Sequence, residues 1–150
     1  MKDPFGGLLL NIAFRMLVPF SPVYAVYVLI LGESSPGGGF QAGVVLGLGI
    51  VLARLIMGED SSLFNIRTTT TLVLAGVGTF IYSLAGWLTL LGGGKFLDYG
   101  FLPFAAEKTN ELHALGILII EIGVTMCVMM TILNIMDAVV KRSEDDGSAE

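Results

Sequence analysis

Glu121 sits inside the apolar run from Leu112 to Met136, with Ile119, Ile120 and Ile122 as its neighbours. In hydrocarbon a charge at that depth costs about 3 kcal/mol even on the most lenient insertion scale. The carboxyl group must therefore be protonated, paired with a cation or reached by water. A group poised among those states is what proton or sodium movement uses; held protonated, it would instead tie two helices together by a hydrogen bond. His113 lies eight residues earlier, about 12 Å along a helix and about 80° around it, so the two loosely share a side without touching. Asn110, Glu111 and His113 cluster at the helix end, where water is near. A histidine there suits proton entry, and an interfacial histidine with no function fits the same place.

Other chemistry is not indicated. One Cys and one His give no zinc spacing. The glycines of Pro-Gly-Gly-Gly-Phe do not follow a strand in a βαβ unit, so they are no nucleotide fingerprint. No Ser-His-Asp set can be placed, and an acidic chain without a basic patch is not a nucleic-acid binder. The chain is thus expected not to be an enzyme by itself, and to need no metal or cofactor beyond a transported Na+ or H+. Cys127, the single cysteine, reads as a buried, inert thiol. Arg54 is expected to snorkel to the membrane surface, and Arg15, lying deeper, to meet an acid on another subunit.

Composition dictates the elements that must position these groups. Of 150 residues 54% are hydrophobic and only 14% charged, with mean hydropathy +0.81, which is the balance of an all-α integral membrane protein. Four runs reach the roughly 20 residues needed to span as helices, about 11–31, 39–57, 70–91 and 112–136. They make residues 1–137 one four-helix membrane domain in contact with the lipid bilayer. The first run holds Arg15, Pro19 and Pro22 and lacks a cleavage pattern, so it is read as a retained helix. It should kink at the prolines, with Ser21 or a packed neighbour satisfying the freed carbonyls. Lys2, Arg15, Arg54, Arg67, Lys141 and Arg142 outnumber Lys95 and Lys108, which places both termini in the cytoplasm. The 92–110 loop then faces outward, with Phe96, Phe101 and Phe104 suited to an interfacial cap. Residues 138–150, which hold most of the net charge of -5, are expected to form a disordered, solvated acidic tail.

Between the first two runs stands Ser35-Pro36-Gly37-Gly38-Gly39-Phe40-Gln41. Three glycines can take positive φ, and Pro36 disfavours helix at Ser35, so the first helix should end by about Ser34. Irregular backbone here needs either an interfacial position or cover from neighbouring protein. In the second helix Gly39, Gly43 and Gly47 recur every four residues and invite close helix contact. The third carries Ala75, Thr79 and Ser83 with Gly76, Gly78 and Gly86. So many small faces on four helices exceed what the chain can use internally, which implies a partner protein.

Pro36-Gly-Gly-Gly-Phe40 after Tyr-Val-Leu-Ile-Leu-Gly-Glu33, the glycine-studded second span and the late Glu121-Ile-Gly-Val124 resemble the B subunit of Mrp-type multisubunit Na+/H+ antiporters. The same subunit type occurs in related membrane-bound hydrogenase and respiratory complexes. The resemblance runs from about Phe14 to Leu133. It implies an accessory, multi-pass subunit in the prokaryotic cell membrane that helps form or support a cation or proton path. Its partners would be other Mrp-type membrane subunits, including large complex I-like antiporter subunits, and in some assemblies a hydrogenase or oxidoreductase module. Pro36, Gly37, Gly38, Gly39 and Phe40 would be the motif and Glu121 the acidic position, where the family commonly has Asp. A stand-alone, homo-oligomeric cation-coupled transporter and a purely structural membrane subunit are the alternatives.

Overall fold

The computed structural model describes residues 7–32, 37–57, 66–103 and 109–147, with backbone alone for Met57, Thr109 and 143–147. Four long helices make up the described chain: α1 (Leu8–Ile30), α2 (Gly39–Met57), α3 (Thr68–Leu91) and α4 (Thr109–Gly147), with one 3-10 turn at Tyr99–Phe101. Each of the four is long and apolar enough to cross a membrane, as the composition requires.

The bounds differ from the sequence expectation where local chemistry allows a helix to continue. α1 opens at Leu8 rather than Asn11 and ends at Ile30. Pro19 and Pro22 stay inside it; Ser21 Oγ donates to the Val18 carbonyl at 2.9 Å, the group that Pro22 leaves without its usual helical donor. α4 runs on to Gly147, so most of the segment expected as a disordered tail is helical. No proline or glycine interrupts 137–146, and Lys141 and Arg142 stand four residues before Asp145 and Asp146, a spacing that supports a helix.

The helices lie in a row, α1–α2–α4–α3, and among the described residues α3 touches neither α1 nor α2. α1 meets α2 through buried Ala25, Val28 and Ala42, with Leu29, Val45 and Leu46 around them. At Gly49 a Cβ would collide with the Ser21 side chain. The Gly39, Gly43, Gly47 side of α2 meets 121–132 of α4 in parallel register, whereas α3 runs antiparallel to α4, with Gly78 against Gly123 and Thr71 against Asn134. One end of the row therefore carries the α1–α2 joint and the 92–103 loop, called here the joint end. The other, the terminal end, carries both chain ends. A single row leaves wide apolar flanks, including Phe20, Val23 and Tyr27 on α1 and Phe80 and Trp87 on α3. These are surfaces for lipid or neighbouring helices.

Candidate functional site

The joint is built around positive φ at one residue. Gly38 has φ 115, a conformation open to glycine at no steric cost. Its N–H donates to the Val28 carbonyl at 3.3 Å and its carbonyl accepts from Ala42 N–H at 3.0 Å, joining the end of α1 to the start of α2. Glu121 of α4 is laid against this turn. A Cβ on Gly32 would stand 2.8 Å from Glu121 Oε1, and one on Gly38 3.1 Å from it. A Cβ on Gly39 would run into the Glu121 carbonyl and lie 2.8 Å from its Cα. The carboxylate thus rests between Gly32 and Gly38, half-buried, at the positive end of the α2 dipole. Buried Thr125, one turn on, shares its hydroxyl between the Gly39 carbonyl at 2.9 Å and the Glu121 carbonyl at 2.7 Å. The arrangement presents a carboxyl group that can take up a proton or hold a small cation, on backbone that no side chain can replace.

Beyond this turn the seam closes. A Cβ on Gly43 would meet the Thr125 carbonyl at 2.7 Å and Val128 Cβ at 2.8 Å, and one on Gly47 would meet Ile132 at 3.2 Å. The two helices are in backbone-to-side-chain contact with no lumen between them.

Arg54 does not snorkel. Its Nη1 donates to Asp137 Oδ1 at 2.6 Å, with side chains only 21% and 19% exposed. Asp137 lies just past the apolar run and within reach of the guanidinium, so an ion pair across α2 and α4 replaces hydration. Buried Thr71 of α3 donates to the Thr68 carbonyl at 2.8 Å and to Asn134 Oδ1 at 2.5 Å, while Lys141 Nζ donates to Thr68 Oγ1 at 3.4 Å. Sequence reading missed Asp137, Asn134 and Thr71. Their signal was the polar set 134, 137 and 141 at helical spacings of three and four residues on α4.

His113 is placed elsewhere: its ring meets Tyr99 edge-on at 6.2 Å, in the loop joining α3 to α4, rather than the Glu121 turn. Burial, and then the nearby Tyr82, raise the Tyr99 phenol above its ordinary pKa. Buried Thr89 anchors the same loop by accepting from Leu97 N–H at 3.0 Å. Phe96 and Phe101 fold back on Gly86 and on Gly92 and Gly94. Of the α3 strip expected for packing, Gly78 makes the close approach to α4 and Thr79 reaches Cys127, while Gly76 faces open space; Thr79 and Ser83 also donate to carbonyls of their own helix at 3.1 and 3.0 Å. Cys127 is half-buried, its sulfur 3.4 Å from the Thr79 hydroxyl. Arg15 Nε donates to Asn11 Oδ1 at 2.8 Å on an exposed face. Phe40 is 64% exposed; Glu33, Pro36 and Phe104 lie outside the described residues. No three His, Cys, Asp or Glu side chains among the described residues converge as a metal site.

The family described as a domain related to the MnhB subunit of Na+/H+ antiporter matches residues 9–134. The chain is 26% identical over 135 residues to the B subunit of the Na(+)/H(+) antiporter of Bacillus subtilis (strain 168), covering 85% of this chain and 93% of that protein. It is 21% identical over 136 residues to a protein of Staphylococcus aureus (strain Newman) named for the antiporter subunit mnhB2, covering 91% and 94%. A family match across all four helices of the row settles the relationship: this chain belongs to the family of domains related to the MnhB subunit of Na+/H+ antiporters.

Proposed function

We propose that the chain is an accessory, multi-pass subunit of an Mrp-type Na+/H+ antiporter in the prokaryotic cell membrane, and that Glu121 borders the route taken by Na+ or H+. Its partners in this reading are other Mrp-type membrane subunits, among them large complex I-like antiporter subunits. The names of the relatives support the assembly. The observation that carries the site is the half-buried Glu121 carboxylate seated between Gly32 and Gly38 at the broken backbone of the α1–α2 joint. An intramembrane carboxyl group is a functional group by default, because a tie between helices is made more cheaply by neutral side chains. Here Thr125 already supplies such a tie. The excess of basic residues near the termini supports the terminal end facing the cytoplasm. The chain takes no catalytic role of its own in this reading, and the chemistry at Glu121 is exchange of a proton or cation.

Replacing Glu121 by Gln keeps the shape and removes the titration. The assembled complex should lose sodium-coupled proton transport in vesicles while its subunits still co-purify. Full transport in the Glu121→Gln complex would assign the residue to helix pairing instead. Mass spectrometry of the co-purifying subunits decides whether the module stands by itself or with a hydrogenase or oxidoreductase.

A further inference from the structure

We infer that Glu121 is reached by water from the joint end alone, and that this chain supplies half of a path whose continuation lies in a neighbouring polypeptide. The inference rests on the reading of Glu121 as an ion-path group, and three features of the row carry it.

First, α2 begins beside Glu121, whereas α4 continues past it toward the joint end through residues 109–120, about 18 Å of helix. At that end the flank of α4 extends beyond the start of α2, and Leu115, Leu118 and Ile122 lie exposed along it. The carboxylate stands at the foot of this step, on a residue that is only partly buried. Second, the seam on the other side of Glu121 is sealed. Gly43 lies on Thr125 and Val128, and Gly47 on Ile132. About 24 Å further along α4, the Arg54–Asp137 pair spans the same two helices and sets a fixed cation there. A cation or proton cannot follow the α2–α4 seam from one end to the other. Third, helices in a single row enclose no lumen. What arrives at Glu121 can leave only by returning or by passing sideways off the row, and a sideways route in the membrane must be walled by other protein.

The test uses the native complex. Sealed membrane vesicles of both orientations are treated with a membrane-impermeant, water-soluble carbodiimide and an amine nucleophile, and carboxyl modification is read by peptide mass spectrometry. A separate impermeant amine reagent identifies the joint end through Lys95 and the terminal end through Lys141. Glu121 should be modified in vesicles exposing the Lys95 side, with that labelling lost in vesicles exposing the Lys141 side. Modification of Glu121 from the Lys141 side, or from neither side, overturns the inference. The outcome is separable from the Glu121→Gln result: loss of transport in that variant together with labelling from the terminal side would retain the ion-path role and reject the half-path. One-sided labelling with full transport in Glu121→Gln would reject the role instead.

Discussion

The two ends of the α2–α4 seam hold their polar groups by opposite means. At the joint end Glu121 is laid against glycine backbone, and the tolerance is steric: a methyl group on Gly32 or Gly39 would strike backbone, and one on Gly38 would crowd the Glu121 carboxylate. At the terminal end Arg54 and Asp137 meet through their side chains, as Thr71 and Asn134 do between α3 and α4, and the tolerance is electrostatic. The contrast teaches that one end of the seam is set by shape and the other by charge.

Added volume should therefore damage the joint end most. Gly39→Ala drives a methyl group into the Glu121 backbone and should separate α2 from α4, destabilising by about 3 kcal/mol or more; thermal melting of the purified complex and recovery of the subunit within it measure this. A normal melt would show that the seam is looser than its contacts indicate.

Removed charge should dominate at the terminal end. Asp137→Ala leaves the Arg54 guanidinium without its carboxylate and should cost about 3 kcal/mol, the lower end for a buried pair. Combining Arg54→Leu with Asp137→Leu should recover most of that loss in a double-mutant cycle. No recovery would mean the pair does more than tie α2 to α4.

Two glycines on α3 sharpen the same point with smaller effects. Gly78→Ala, whose Cβ would meet the Gly123 carbonyl at 2.5 Å and Cys127 N at 2.7 Å, should destabilise by about 1–3 kcal/mol. Gly76→Ala enters open space and should leave the melting temperature unchanged or slightly raised. Equal behaviour of the two would contradict the α3–α4 register. Smallest of all, Thr125→Val removes the hydroxyl that bridges the Gly39 and Glu121 carbonyls, at about 0.6 kcal/mol by the average for hydrogen bonds between membrane helices. A loss as large as that of Asp137→Ala would erase the distinction between the two ends.

Hydropathy and spacing carried the architecture. A 19-residue α2 from Gly39 to Met57 follows from the glycine joint before it and the polar segment after it, since apolar run length sets a spanning helix. Glu121 stood out for the same reason, as a carboxyl group where hydrocarbon forbids an unassisted charge. The sequence could not say which glycine faced it, because Gly38 and Gly39 lie more than eighty positions away and a spacing motif names a face without naming its partner. Arg54 was misplaced on the same ground: snorkelling is the default for a basic residue near a helix end, and whether Asp137 can reach it depends on the relative register of α2 and α4. The acidic stretch after Asp137 was misjudged differently, since its charge argued for solvation while its continuity with α4 favoured helix.

By itself the chain determined that it is a set of spanning helices, where they break, and that one carboxyl group in them demands an explanation. These are local matters, decided by the transfer of side chains and backbone out of water. Only the tertiary structure decided that the helices form an open row, that the glycines of the joint close on Glu121, and that Arg54 is matched by Asp137. Those outcomes depend on how far apart two helix axes settle and in what register, quantities set by contacts between residues distant along the chain.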